Sequence, residues 1–270
     1  MDVNEVKKLL DIVDSKNWAA FDGLLASGKT VQDTLQVFLS GMNAEQRKLS
    51  LSLLERYLIM KDYQLPAKGL LEKIVASTDD ERIFISTIKD FSSQKVKSGA
   101  SLSYEFSSLI NGFPQKRFSF FEDPSSKEFV NAEGFCVLVD DFIGSGNQFV
   151  DMLAHLKDIG VVVRCDCVAA LVIQEEGLLR IQGEGYRTIY LKNRPKCLQE
   201  LASMNSTSLD EVYRIYDTIE IMTCCNDDFK RGYSASEASV TMKKTPNNTL
   251  PIFWHEGSKK WPAPFPRPRS

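Results

Sequence analysis

The amino-acid sequence predicts an α/β protein with a doubly wound, mostly parallel sheet and an N-terminal helical subdomain. Three observations support this prediction. Short strand-like runs alternate with helical patterns from residue 82 onward. Residues 135–139 form a continuous apolar run, as in a strand buried on both faces. Residues 1–80 carry apolar side chains at helical spacing. We therefore predict a helical subdomain over residues 1–80 and an α/β domain over residues 81–270.

Composition narrows the chemistry that the chain can use. The 270 residues have a formal net charge of -3, which gives no overall attraction to nucleic acid or to anionic membranes. Apolar stretches stay shorter than the roughly 20 residues that span a bilayer, and the first residues do not resemble a secretory signal, so a cytoplasmic location is expected. Six cysteines without a CxxC pair and only two histidines argue against a zinc cluster or a histidine-based triad. Catalysis, if present, would therefore depend on carboxylates, backbone amides and cations.

Capping residues define the helices of the first 80 residues. Thr30 is expected to cap a helix that begins at Val31, and Asn43 a helix that carries several leucines. The Leu65-Pro66 step is expected to interrupt the helical pattern. Acidic side chains slightly outnumber basic ones in this region, so direct nucleic-acid binding is not expected. We expect the helices to pack on the α/β domain or to dock a protein or ribonucleoprotein partner.

The remaining elements follow in chain order. Strands are predicted over residues 83–88, 117–121, 135–139, 161–173 and 188–191. Helices are predicted over residues 100–110, 149–159 and 175–182. Ligands of such sheets bind beyond the carboxyl ends of the strands, so the loops that follow the strands are the places to search for a site.

One loop combines two adjacent carboxylates with a glycine-rich turn. Asp140 and Asp141 follow the apolar strand, and Gly144-Ser145-Gly146 precede a helix. Small residues allow the backbone to approach an anion, and the amides of a helix N-terminus point at it. Carboxylates beside such a nest would repel a phosphate unless they bind another part of the same ligand. A ribose 5-phosphate meets both requirements, because its hydroxyls reach the acids while its phosphate lies in the glycine loop.

Other interpretations of this loop fit less well. An Asp-Asp turn before an ordinary helix, with glycines for packing, remains the structural alternative. A Walker A loop needs a lysine directly after its last glycine, and Asn147 follows Gly146 here. In a dinucleotide-binding motif the glycines directly follow the strand, without an intervening acid pair.

Residues 137–148 resemble the phosphoribosyl-pyrophosphate signature of type I phosphoribosyltransferases. The resemblance implies a phosphoribosyltransferase-like fold in which Asp140 and Asp141 hold the ribose hydroxyls, with Mg²⁺ nearby that these acids hold directly or indirectly. It assigns the 5-phosphate to one run of residues, namely Gly144, Ser145, Gly146, Asn147 and Gln148. The family usually carries threonine at the positions of Gly144 and Gln148, so two hydroxyl contacts are missing in this chain.

Two further segments resemble parts of the same family. The loop after the first strand contains Lys97, Ser98 and Gly99, which suit a diphosphate, although a solvated loop with unrelated lysines is the alternative. Residues 122–133 resemble in position the mobile lid of the family, and their polar composition suits a flexible loop.

The C-terminal region resembles a divergent branch of phosphoribosyltransferase-like proteins from prokaryotic conflict and antiviral systems. The resemblance is carried by residues 232–237, 245–254 and the tail at 261–267. Some members of that branch are linked to reverse-transcriptase (retron) operons. Residues 246–248 form a turn signal between two strand-like runs, 239–243 and 250–254. The aromatic side chains of this region either form a hood that stacks a base or pack on the sheet edge.

Together these observations predict a phosphoribosyltransferase-like protein that binds phosphoribosyl pyrophosphate or a nucleotide with Mg²⁺. The resemblance implies an effector or accessory component of antiviral defence. The alternative is a catalytically inactive nucleotide-sensing or assembly subunit that docks a partner through its helices. The sequence leaves open whether the protein turns over its ligand and which base or acceptor it uses.

Overall fold

The computed structural model describes residues 1–23, 29–91, 99–257 and 261–267. The chain divides into two units, one formed by residues 62–194 and the other by residues 1–61 together with 195–270. This division differs from the predicted boundary between residues 80 and 81. The reason is that the last helix of the first 80 residues packs with the sheet, whereas the earlier helices share a core with the C-terminal region.

Helices and strands alternate along most of the chain. The first unit begins with α1 (Val3–Ser15), α2 (Val31–Ser40), α3 (Ala44–Arg56) and β1 (Leu58–Ile59). The second unit contains α4 (Gln64–Val75), β2 (Arg82–Thr87), α5 (Gly99–Leu109), β3 (Arg117–Phe121), α6 (Lys127–Val130), β4 (Phe135–Ile143), α7 (Asn147–Asp158), β5 (Cys167–Gln174), α8 (Glu175–Gly183) and β6 (Thr188–Arg194). The chain then returns to the first unit with α9 (Cys197–Met204), α10 (Leu209–Glu220) and β7 (Val240–Thr241).

The sheet of residues 62–194 confirms the predicted fold class. Its five strands lie in the order β3-β2-β4-β5-β6, and every neighbouring pair is parallel. Helices α6, α7 and α8 share a hydrophobic cluster with β4 and β5, while α4 and α5 contact each other and the strands. From β2 the chain moves to one side for β3 and then to the other side for β4. The winding therefore reverses between β2 and β4, where sheets of this kind bind ligands.

Local capping chemistry agrees with the predicted helix starts. The side chain of Thr30 accepts a hydrogen bond from the Asp33 amide at 3.0 Å, and the side chain of Asn43 accepts one from the Gln46 amide at 2.9 Å. Pro66 lies in the first turn of α4, where the missing amide hydrogen removes no intrahelical bond. The Leu65-Pro66 step therefore begins a helix. None of the helices among the described residues is long and apolar enough to cross a bilayer.

The unit formed by residues 1–61 and 195–270 is built around aromatic side chains from both of its segments. Tyr57 stacks on Phe265 at 4.4 Å between ring centroids, and Phe38 packs against Phe253 and Trp261. These C-terminal aromatics are buried in the same core as α1, α2 and α3. The prediction that they form a base-stacking hood or pack on the sheet edge was therefore wrong. The apolar faces of the N-terminal helices bury them instead.

Two details of the C-terminal region also differ from the sequence prediction. The run predicted as a strand over residues 250–254 forms a 3₁₀ turn at Pro251–Phe253, since proline favours the start of such a turn. Of residues 239–243, only Val240–Thr241 pair as a strand, and they lie parallel to Leu58–Ile59. Helices α9 and α10 were not predicted.

Candidate functional site

The acid pair lies inside strand β4, at its carboxyl end. The strand continues beyond the predicted end at Val139, because Asp140, Phe142 and Ile143 all pair with β5. Successive side chains of a strand point to opposite faces, so the two carboxylates diverge from a common backbone. Asp140 is 7% exposed and Asp141 is 2% exposed. Buried carboxylates need hydrogen bonds, and their partners define what the site can do.

Both acids accept hydrogen bonds from nearby residues. The backbone amide of Asp141 donates to Oδ1 of Asp140 at 2.9 Å. The hydroxyl of Tyr63 donates to Oδ2 of Asp141. Tyr63 is fully buried and directly precedes α4. Tyr63 was not predicted from the sequence, although its place in the chain gives one signal. A helix that leads into the first strand of a parallel sheet begins near the edge at which the strands end.

The glycine loop begins after Phe142 and Ile143, two residues beyond the acid pair, and leads into α7. Gly144, Ser145 and Gly146 are all buried, and Gly146 has a φ of 78°. Gly146, the residue before α7, has no side chain to cap the helix, and Oγ of Ser145 accepts a hydrogen bond from the Asn147 amide at 3.4 Å. The first amide groups of α7 have no partner within the helix and carry a partial positive charge. An anion placed against them would satisfy these donors, which is the chemistry predicted for residues 144–148.

Helix α8 lies behind the glycine loop. A Cβ atom built on Gly146 would lie 3.3 Å from both Cα and the carbonyl oxygen of Gly177. A side chain at Gly146 would therefore crowd the backbone of Gly177, in addition to the strain that the positive φ imposes. Gly177 was missed because a single glycine inside a helical pattern carries no site signal of its own. A glycine inside a helix is destabilising, so the presence of Gly177 in α8 indicated a close packing contact.

The loop that follows β2 meets the start of α7. Nε2 of Gln148 donates to the carbonyl oxygen of Ile88 at 3.2 Å, and the amide of Ile88 donates to Val139 at 3.0 Å. These two hydrogen bonds join the residues that follow β2 to β4 and to the start of α7. Lys97 and Ser98 of the predicted diphosphate loop lie outside the described residues, and Gly99 is the first residue of α5.

An ion pair connects the residues that follow β2 and β3. Nζ of Lys89 bonds to Oδ2 of Asp123, and the amide and hydroxyl of Ser125 donate to Oδ1 of the same carboxylate. Burial alone would raise the pKa of Asp123, but the hydrogen bonds from Lys89 and Ser125 outweigh it and hold the pKa below its ordinary value. The negative charge of Asp123 is therefore maintained at the edge of the sheet.

The segment predicted as a flexible lid is packed in this structure. Residues 122–133 include helix α6, which Ser126 caps, and Phe129 is fully buried in the cluster beneath α7. The expectation of a loose loop was wrong for this part of the chain. The segment is mostly polar, but burial of its one large apolar side chain, Phe129, holds it against the core.

The carboxylates of Asp140 and Asp141 have the chemistry that Mg²⁺ prefers, since this ion binds one or two carboxylates together with water and phosphate oxygens. Within the described ranges, no group of three or more histidine, cysteine, aspartate or glutamate side chains is arranged to hold a metal. The two acids therefore fit Mg²⁺ only where a ligand supplies further oxygen atoms.

A parallel sheet with an acid pair at the end of β4 and a glycine loop before the next helix is the arrangement of a phosphoribosyltransferase-like protein. The chain belongs to the PRTase-CE family, whose model matches residues 68–267. The match begins inside α4 and extends through the C-terminal aromatic segment. Among curated proteins, no sequence matches this chain.

Solved phosphoribosyltransferase structures show a weak likeness to the chain. The orotate phosphoribosyltransferase from Aeropyrum pernix is 16% identical, with 53% of this chain and 75% of that chain covered and a TM-score of 0.34. The Mycobacterium tuberculosis H37Rv orotate phosphoribosyltransferase in complex with 5-phospho-alpha-D-ribosyl 1-diphosphate is 14% identical, with 70% and 96% covered and a TM-score of 0.32. At these TM-scores the likeness adds nothing to what the strand order of the chain already shows.

Proposed function

We propose that the protein binds a ligand with a ribose 5-phosphate moiety, either phosphoribosyl pyrophosphate or a nucleotide. The observation that carries the proposal is the placement of Asp140 and Asp141 two residues before the loop at 144–146, on the strand where the winding of the sheet reverses. Acceptors for hydroxyl groups and donors for a phosphate thus follow one another along a few residues of backbone.

The two halves of the ligand need groups of opposite character. The ribose hydroxyls donate hydrogen bonds, which carboxylates accept strongly because they are charged. The 5-phosphate accepts hydrogen bonds, which the amides at the start of α7 supply. The loop between the acid pair and Asn147 keeps the phosphate away from the carboxylates. This separation explains how acids and an anion site can share a short stretch of chain.

Magnesium belongs to the proposal as an ion that Asp140 and Asp141 would hold directly or indirectly, and it would neutralise part of the ligand's negative charge. The reaction that such a site would support is cleavage or transfer at C1 of the ribose. The protein's contribution to that reaction is to hold the ribose and to stabilise developing charge, since no nucleophile is required.

A second candidate function is ligand sensing without turnover, in an assembly subunit. This candidate is favoured by the packing of residues 122–133. The segment contains the helix Lys127–Val130 with Phe129 fully buried, and it does not form an open lid. In this candidate the helical residues 1–61 would dock a protein or ribonucleoprotein partner. The role in antiviral defence, including a link to retrons, rests on the resemblance of the C-terminal segments and forms part of the proposal.

Calorimetry with ribose 5-phosphate and with phosphoribosyl pyrophosphate, each with and without Mg²⁺, tests the binding proposal. Asp140→Asn combined with Asp141→Asn is expected to weaken binding by about 1.5–3 kcal/mol for each lost charged hydrogen bond. Asp151→Asn, an exposed acid on α7, is the control and is expected to bind as the wild type does. Unchanged affinity in a folded double variant would remove the acids from the site.

Release of pyrophosphate from phosphoribosyl pyrophosphate separates the two candidates. Turnover that the double variant lacks supports the transferase, whereas tight binding without turnover supports the sensor. The defence role is tested by phage challenge of the native host that carries either the wild type or the double variant. Equal protection by both would contradict a defence role for this site.

A further inference from the structure

Tyr63 lies outside the residues that match the family model, yet it contacts the acid pair. The match begins at residue 68. The Tyr63 side chain is fully buried, and its hydroxyl donates to Oδ2 of Asp141. Asp141 is itself almost completely buried, so this contact lies in a setting of low dielectric constant, where a hydrogen bond to a charged group is strong.

The position of Tyr63 is fixed by the helix that it precedes. Nζ of Lys73, in the last turn of α4, donates to the carbonyl oxygen of Tyr190 in β6 at 2.8 Å. Gly69, in the middle of the helix, lies so close to β6 that a Cβ on it would be 3.5 Å from the side chain of Leu191. These contacts hold α4 on the sheet. They therefore hold its first turn, and the tyrosine before it, at the edge where β4 ends.

The choice of a tyrosine has a chemical consequence. A phenol donates one hydrogen bond and remains neutral at physiological pH. It can therefore orient the Asp141 carboxylate without neutralising it, whereas a lysine or arginine at this place would form an ion pair and compete with the ribose hydroxyls. Among the described contacts, Oδ1 of Asp140 accepts a backbone amide and Oδ2 of Asp141 accepts the Tyr63 hydroxyl.

We propose that Tyr63 is a positioning residue that holds Asp141 in the orientation needed to bind the ribose hydroxyls. Through this contact Tyr63 sets the preference for ribose over 2-deoxyribose ligands. The proposal rests on the proposed function, namely that the acid pair binds the ribose. It goes further in assigning selectivity to a residue on the helix before the sheet.

The test compares three probes by calorimetry, namely ribose 5-phosphate, 2-deoxyribose 5-phosphate and inorganic phosphate. The wild type is expected to prefer the ribose ligand. Tyr63→Phe, which removes only the hydroxyl, is expected to reduce that preference by about five- to tenfold while phosphate affinity changes less than about twofold. A purely structural role would lower the affinity for all three probes alike.

Tyr57→Phe is the matched control. Tyr57 is also buried, and its hydroxyl also has a buried partner, Thr241 at 2.8 Å, in the other unit of the chain. This variant is expected to keep the wild-type preference. In an Asp141→Asn background, Tyr63→Phe is expected to have no further effect on the preference, because the group that it orients has been changed.

The outcomes separate this proposal from the one on which it rests. A wild type that binds both sugar phosphates equally overturns the proposed function and, with it, the role of Tyr63. A wild type that prefers ribose, with Tyr63→Phe retaining the full preference, overturns only the role of Tyr63. If Tyr63→Phe does not fold, 3-fluorotyrosine at residue 63 replaces it. The fluorine makes the phenol a stronger donor and is expected to widen the preference, and an unchanged preference there overturns the proposal.

Discussion

The backbone of Gly177 in α8 lies directly against the carbonyl group of Gly144. A Cβ atom on Gly177 would be 2.3 Å from that oxygen, and Cγ2 of Ile143 would be 3.0 Å away. No side chain fits into this space at Gly177, so the helix after β5 packs closely against the backbone of the glycine loop after β4. Because packed backbone cannot yield as a flexible side chain does, the shape of the loop depends on Gly177.

We expect Gly177→Ala to displace the glycine loop and to destabilise the protein by about 1–3 kcal/mol, the usual effect of overpacking. It should also weaken binding of ribose 5-phosphate, measured by calorimetry on the folded variant. Gly183→Ala, in the same helix, is the control. Nothing lies within 4 Å of its Cβ position, so it should be neutral or stabilising. Equal effects of the two substitutions in urea unfolding would contradict the contact.

A second pair of glycines separates backbone strain from ligand binding. Gly146 and Gly160 both have a φ of 78°, but only Gly146 has neighbours, in Gly177 and Arg180. Alanine at either position should therefore destabilise the protein by about 1–2 kcal/mol through the strained backbone. Only Gly146→Ala should lower the affinity for inorganic phosphate. Loss of phosphate binding in Gly160→Ala would show that general destabilisation, and not the loop, controls this affinity.

Ser86 presents a hydroxyl group that its surroundings do not use. The side chain is fully buried in β2, and within the described part of the chain its oxygen has no hydrogen-bond partner. Ser86→Ala removes a desolvated polar group and should leave the stability unchanged or raise it. Thr87→Val is the comparison, since the Thr87 hydroxyl donates to the carbonyl oxygen of Glu122 at 3.3 Å. Thermal unfolding should therefore show a lower midpoint for Thr87→Val than for Ser86→Ala.

Features that are local in the sequence were predicted well. Strand β3 has the predicted bounds, and the order of acid pair, glycine loop and helix is encoded within a few residues. The end of β4 was placed too early, because aspartate is rare in strands. Here the pairing of Phe142 and Ile143 with β5 extends the strand across both acids.

Features that depend on contacts between distant residues were not predicted. Tyr63 reaches Asp141, and Gly177 reaches Gly144, only after the sheet and its helices have formed. The burial of Phe265 against Tyr57 likewise joins opposite ends of the chain. Hydrophobic periodicity reports that a face will be buried, but it does not identify the partner. For this reason the packing of the C-terminal aromatics was assigned to the wrong surface.

Glu220 provides a prediction about pH. Burial raises the pKa of this carboxyl above its ordinary value, although the Tyr216 hydroxyl and the Arg231 amide both donate to it. Between the ordinary carboxyl pKa of the unfolded chain and the raised pKa of the folded protein, the folded protein binds a proton that the unfolded chain has released. The free energy of unfolding therefore falls as pH rises through this interval. Both hydrogen bonds reach Oε1, which glutamine retains. Glu220→Gln should be more stable than the wild type at pH 7, and the difference should disappear below the ordinary carboxyl range. A pH-independent difference in unfolding midpoint would contradict this cause.

The division of the chain leads to a prediction about fragments. Residues 62–194 contain the five-stranded sheet together with α4, which packs on β5, β6 and α5, and with Tyr63. A fragment of residues 62–194 should therefore fold and retain binding of ribose 5-phosphate.

A fragment of residues 79–194 lacks α4 and exposes the apolar surface that the fully buried Ala67, Leu70, Leu71 and Ile74 cover. Burial of Leu70, Leu71 and Ile74 contributes about 1.5–3 kcal/mol each, which is comparable in sum with the whole stability of a domain. We therefore expect the shorter fragment to aggregate or to remain unfolded by circular dichroism. If a fragment of residues 79–194 folds and binds ribose 5-phosphate as tightly as residues 62–194, then the sheet needs neither α4 nor Tyr63. That result would remove Tyr63 from the site.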